Sequence, residues 1–219
     1  MKKGICLCLS VLMIVCFCAG CSKEEQKETT LPTTESIGAE KEMVTVENVS
    51  PYGGRYLEYG DEEIVSGIYA MRFTNNSNQT ISSAQFIFSD GTQELSFRLE
   101  MLPAGQSVIV AEQNQLPAFA KQLQAVDSTV TYLEPGLENT QSVKTTANED
   151  GTVRIENCTK EMLPLIRVFF RPTDENGNMI GGSCRSVMVD GIEGGAAVDI
   201  AAEGWDETCV VVTVLVVNE

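Results

Sequence analysis

The feature that most constrains this chain is that one stretch of it is written twice. Met71, Phe73, Asn75 and Ser77 reappear 82 positions on as Val153, Ile155, Asn157 and Thr159, and Ala84, Phe86 and Phe88 reappear as Ile166, Val168 and Phe170. From Phe97 the offset is 90, so that Phe97, Leu99, Gly105, Val108 and Val110 fall on Val187, Val189, Gly195, Val198 and Ile200. Eight additional residues in one hairpin of the second copy account for the change of register. Similarity in fixed order, with the length difference confined to a turn, predicts two copies of one unit, each closing its own core.

Inside the copies the apolar period is two. Leu95, Phe97, Leu99 and Met101 alternate with Glu94, Ser96, Arg98 and Glu100, a pattern that a helix could not bury on one side. Glu42 to Val49 reads as an opening strand, Ser50 to Gly54 as a turn and Arg55 to Tyr59 as a short strand. Ile68 to Thr74 is a strand with Tyr69, Met71 and Phe73 on one face, Asn75 to Asn78 a turn, and Asp90-Gly91 a hairpin tip. Leu116, Phe119, Leu123 and Val126 recur at three and four residues, which predicts a short helix over Leu116 to Val126. Val130 and Tyr132 close the first unit.

In the second copy Ile166, Val168 and Phe170 should face inward and Arg167 and Arg171 outward, with Asp174 to Asn178 as the long hairpin loop. Gln141 to Asp150 is polar and reads as the connection between the units. Cys209 to Val217 is almost wholly β-branched, which disfavours helix and predicts a central strand covered on both faces. The expected class is therefore all-β, two tandem antiparallel sandwiches at 42–138 and 141–219 with one short helix in the first.

The N-terminus carries an address. Lys2 and Lys3 precede the apolar run Ile5 to Ala19, which has signal-peptide length and is short for a permanent span. The run closes Cys18-Ala19-Gly20-Cys21, and small residues directly before a cysteine resemble the bacterial lipoprotein processing signal. That resemblance implies a signal peptide at 1–20 and a diacylglycerol thioether on Cys21, which becomes the mature N-terminus. Cys18 stands where leucine is usual, so cleavage by ordinary signal peptidase, releasing a secreted protein, is the alternative. Residues 21–41, rich in Thr, Glu and Lys, have almost nothing to bury and read as a disordered tether. As a flexible coil it would hold the folded part about 25 Å from the membrane. An acidic, Thr-rich stalk suits a lipoprotein facing a cell wall, which favours a Gram-positive host.

The order strand, Asn with small polar residues, strand, Asp-to-Gly hairpin is visible in Phe73 to Gly91 and in Ile155 to Gly177. It resembles the Ig-like sandwich domains of bacterial surface lipoproteins, in particular the FxLYD type. The resemblance implies two Ig-like domains on the extracytoplasmic face of the membrane.

Charge and missing residue types narrow the chemistry. The formal net charge is −16 and no local basic patch offsets it, so nucleic acid and anionic lipid headgroups are poor partners. The chain has no histidine, the commonest general base and zinc ligand. Cys158, Cys184 and Cys209 could form one surface bridge between neighbouring strands or stay free thiols; the strand parity of Cys158 with Arg154, and of Cys209 with Thr213, argues against a bridge through the core. Asp174 to Asn178 offers oxygen ligands but not the spacing of an EF-hand, leaving calcium or a plain turn. Asp61 to Glu63 and Glu149-Asp150 read as solvated turn charges.

Tyr52, Tyr56 and Tyr59 cluster around Arg55 and are the candidate ligand-binding residues, since aromatics and arginine stack on sugar rings and anchor protein partners; packing of Tyr56 on its sheet is the competing reading. Trp205 reads as a core plug beside the last strand. These observations predict a non-enzymatic binding or adhesion module, without cofactor or metal, whose partner is a protein or a cell-wall glycan. The alternatives are an envelope glycan hydrolase with a carboxylate pair across a cleft and a structural spacer or assembly subunit.

Overall fold

The computed structural model describes residues 43–58, 62–138, 141–148 and 150–217. Their regular structure is all strand. In the first copy β1 (Val44–Asn48), β4 (Ala70–Asn75) and β7 (Ser107–Ala111) form one antiparallel sheet, and β5 (Ile81–Ser89), β6 (Glu94–Leu102) and β8 (Gln124–Tyr132) form another in the order β6-β5-β8. A ribbon of β2 (Tyr52–Tyr56) and β3 (Glu63–Ile68) is interposed between β1 and β4.

The second copy repeats the two three-stranded sheets, with no counterpart of the β2-β3 ribbon among the described residues. One sheet has the order β14-β10-β9, from β9 (Val143–Ala147), β10 (Val153–Asn157) and β14 (Ala197–Ile200). The other has β13-β11-β15, from β11 (Leu163–Pro172), β13 (Arg185–Ile192) and β15 (Cys209–Val217). Each pair of sheets closes on its own apolar cluster. Phe73, Phe86, Phe88 and Phe97 centre the first, with the Phe73 and Phe86 rings stacked at 4.7 Å, and Ile155, Ile166, Val168 and Val214 belong to the second. Burial of each such side chain contributes about 1.5–3 kcal/mol.

The duplication extends to individual hydrogen bonds. Asn75, fully buried at the end of β4, donates through Nδ2 to Gln79 O and Leu102 O, both at 2.8 Å, and accepts from the amide and hydroxyl of Ser77. Asn157, fully buried at the end of β10, donates to Glu161 O at 2.7 Å and Ile192 O at 2.8 Å and accepts from the amide and hydroxyl of Thr159. The main-chain oxygens of these asparagines accept from Gly105 and Gly195 respectively. Gln79 and Glu161 stand 82 apart, while Leu102 and Ile192, like the two glycines, stand 90 apart, so one asparagine spans both registers of the sequence repeat.

Several sequence expectations are corrected. No helix forms over Leu116 to Val126, because the backbone there is committed sideways: Leu116 O accepts from Tyr69 N, Ala118 N donates to Gly67 O, and Gln124 and Ala125 already pair with β5. Tyr52 to Gly54 is strand rather than turn, since both glycines pair with β3. The polar stretch expected as a connection contains β9, an edge strand that needs only Val143 in the core. β15 is also an edge strand, laddered to β11 and bridged on its other side only through Leu215 to Glu138, to which the fully buried Thr213 also donates its hydroxyl. A register shift opposite Phe169 and Phe170 places one extra residue in β15, which reverses side-chain parity and turns Cys209 inward against Phe170 and Ala202.

Candidate functional site

The eight-residue insertion that shifts the sequence register is the arm by which the second copy grips the first. It lies between β11 and β13, and within it β12 (Met179–Ile180) adds a parallel strand to the open edge of β7, with Met179 beside Val108 and Ile180 beside Ile109. Ile180 is 2% exposed and joins Leu57, Ala70 and Ile109 in a small apolar cluster at the seam. Gly181 N then donates to Ile109 O.

Polar groups fasten the same place. Strand parity predicts Arg171 outward; instead its guanidinium is fully buried and donates to the main-chain oxygens of Gly181, Gly182 and Ser183 in the arm and of Glu100 in β6. The two terminal nitrogens of this planar fork suit a ring of carbonyls, while the buried Nε has no partner among the described residues. Glu58, 2% exposed, accepts from Gly182 N at 2.6 Å. Burial pushes the Glu58 carboxyl up to about 7, against the opposing pull of the Gly182 amide and of Arg171. Gly182 admits no side chain, because a Cβ would run into the carbonyl oxygen of Arg98 and the Glu58 carboxylate.

Two further ties cross the seam. Arg55 on β2 donates to Asp206 Oδ2 and Thr208 Oγ1, both at 3.0 Å, and Glu62 receives Arg55 at 2.7 Å and Arg185 at 3.2 Å. Burial raises the pKa of Asp206, but hydrogen bonds from Thr208 and Arg55 outweigh this and hold it near 2. Glu138 accepts from Thr80 Oγ1 of the first copy at 2.7 Å and from Thr213 Oγ1 of the second at 2.5 Å.

Beside the arm lies a cleft of about 520 Å³ walled by both copies. Tyr52, Gly53, Gly54, Arg55 and Ile64 supply one side, and Asp174, Glu175, Asn176, Ile180 and Thr208 the other. Of the four candidate binding residues, Tyr52 and Arg55 therefore meet at one concave surface. Tyr56 does not: it is 4% exposed, packs against Val65, Ile68 and Ala111, and donates its hydroxyl to Gln113 O. Tyr59 and Cys21 lie outside the described residues.

The Asp174 to Asn178 loop is a turn held by its own hydrogen bonds. Asp174 Oδ1 accepts from the amides of Asn176 and Asn178, and the Asn178 side chain donates to the same carboxylate. Burial alone would raise its pKa, but these bonds outweigh it and hold the acid below the ordinary range. Cys158, Cys184 and Cys209 are free thiols, respectively exposed, half-buried and buried, and burial pushes the latter two thiols up. Trp205 packs edge-on to Phe170 at 5.2 Å.

Sequence reasoning does not single out Glu58 and Arg171, because Glu58 falls in the short strand expected over Arg55 to Tyr59 with no partner in view and strand parity places Arg171 at the surface. The signal that could have found them was the insertion itself, which sits between Arg171 and Arg185. Neither a family model nor a curated protein matches the chain.

Proposed function

We propose that this protein is a non-enzymatic binding module, lipid-anchored through Cys21 and held outside the cell by the tether at 21–41, with its two copies acting as tandem Ig-like sandwiches of the FxLYD kind. The observation that supports this reading most is the cleft at the seam, because it gathers Tyr52 and Arg55 from one copy and the Asp174 to Asn176 turn from the other into a single concave surface. Surfaces of this size with a few convergent polar groups are where small ligands and chain segments bind. The hydrolase alternative requires a protonated acid facing a second carboxylate across a cleft. Glu58 has the raised pKa, but its carboxylate is bonded to Gly182 under the arm, while Asp174 in the cleft wall is shifted the other way.

A spacer or assembly subunit is the second reading, and the polar ties across the seam favour it by fastening one copy to the other. Mass spectrometry of the mature N-terminus tests the anchor, with a diacylated Cys21 expected. Affinity capture from solubilised membranes, using full-length protein with and without Tyr52→Ala, separates the functions. A ligand lost on substitution supports the module, and a stoichiometric complex indifferent to it supports the subunit.

A further inference from the structure

The ligand class can be narrowed from the way Tyr52 is mounted. Its hydroxyl donates to Arg55 O at 2.8 Å, three residues along the same strand. The side chain thereby lies across Gly54, where a Cβ would stand 2.9 Å from Tyr52 Oη and 3.2 Å from Cζ. Any larger residue at 54 would lift the ring away. Tyr52 remains partly exposed at the cleft, and a ring pinned in this manner has little conformational entropy left to lose when something stacks on it.

The surrounding groups specify what stacks. Ile64, paired in register with Arg55, is 78% exposed and adds apolar surface to the same cleft wall. Across the cleft the exposed Asn176 side-chain amide supplies a donor and an acceptor and the Glu175 carboxylate an acceptor, whereas Thr208 Oγ1 is taken up by Asp206 and Arg55. The Arg55 charge is already met by Asp206 and Glu62, and the Asp174 carboxylate is occupied by Asn176 and Asn178, so neither is left to select an ionic ligand. With a net charge of −16 over the chain, anionic polymers are repelled. What remains is the Glu175 carboxylate, an acceptor at the rim, and a ligand that presents an apolar C–H face to an aromatic ring and hydroxyls or amides that donate to that acceptor.

Resting on the binding-module reading, we propose that the seam cleft is a subsite for a neutral oligosaccharide, with one pyranose ring stacked on Tyr52 and its hydroxyls bonded to Asn176 and Glu175. Because the second copy supplies those polar groups, the site exists only while the arm is docked.

The test is titration of the full-length protein with chitotetraose and with cellotetraose, followed by calorimetry and by amide NMR. The expected result is saturable binding of at least one of them, with shifts centred on Tyr52, Ile64 and Asn176. Tyr52→Ala should weaken it at least tenfold, and Glu175→Ala, an exposed position remote from both cores, several-fold without changing the melting temperature. Absence of binding by both tetrasaccharides at millimolar concentration, or binding indifferent to both substitutions, overturns the proposal. Capture of a protein partner that is sensitive to Tyr52→Ala, with no tetrasaccharide binding, overturns the glycan class while leaving the binding-module reading in place. A fixed complex indifferent to Tyr52→Ala removes both.

Discussion

The guanidinium of Arg171 in the second copy donates to the main-chain oxygen of Glu100 in the first. Three carbonyls of the arm share the same cation, so one side chain holds the insertion, β11 and β6 together. Arg171→Met keeps most of the volume but removes the donor these oxygens share, Gly182 O alone retaining Glu100 N, for an expected loss of about 1–3 kcal/mol. Denaturant unfolding checks this. The variant should also show two separable transitions, since the copies have separate cores.

Glu58 makes the seam sensitive to pH, and the sign follows from the direction of its shift. Its carboxyl is raised to about 7 in the folded protein from the reference value of 4.5, so between these values the native state holds a proton that the unfolded chain has released. Stability from this group is complete below pH 4.5 and falls as pH rises through 7, by on the order of 3 kcal/mol. Asp206, Asp174 and Asp150 are shifted down from 3.8 and weaken the fold only on the acid side of that value. Glu58→Gln, which retains an acceptor for Gly182 N, should flatten the decline between pH 5 and 8. The urea midpoint at those two pH values is the measurement, and an unchanged slope would contradict the assignment.

Gly182→Ala should be among the most damaging single-methyl additions in the chain. The new atom meets main chain at Arg98, which cannot swing aside. Overpacking of this kind costs about 1–3 kcal/mol or more. Gly177→Ala, in the same arm with open space around its Cβ direction, is the control. Its φ of +78° predicts a smaller loss of about 1 kcal/mol from backbone strain alone.

Asn75→Ala and Asn157→Ala should cost similar amounts, about 2–3 kcal/mol each, because each removes the same buried bonds from the same place in its copy. Their effects should add in the double variant, within about 0.5 kcal/mol, if the two cores respond independently. Thermal or chemical unfolding of the three proteins decides it.

The thiols provide a solution check on strand parity. In the mature, natively folded protein Cys158 should react with a maleimide, while Cys209, 6% exposed, should be modified only after denaturation. Peptide mapping distinguishes the two.

Much of the fold is legible in the sequence, for reasons that can be named. Leu95 to Met101 alternates without interruption, and Asn75 and Asn157 sit at the same place in both copies, so the core strands and their repeat are written locally. Parity fails at Cys209 because the extra residue in β15 is a tertiary accommodation to β11, with no mark of its own in a valine run. The helix periodicity of Leu116 to Val126 is real, yet hydrogen bonds to Tyr69 and Gly67 and pairing with β5 override it. The candidate site is half legible: Tyr52 and Arg55 stand out by composition, whereas their opposite wall lies more than a hundred residues away and is brought to them only by the arm.

The edge of β14 differs from the edge it duplicates. Where Ala70 and Ile109 receive Ile180, the matching positions hold Thr152 and Asp199, and Asp199 already accepts from Arg154 at 3.0 Å and from Asn148 at 3.0 Å. A further unit could not clip onto β14 as β12 clips onto β7 without drying out that carboxylate. The coupling has a socket on one member and a plug on the other, so the joint is polar in sense and specific to this pair rather than a link that could be propagated.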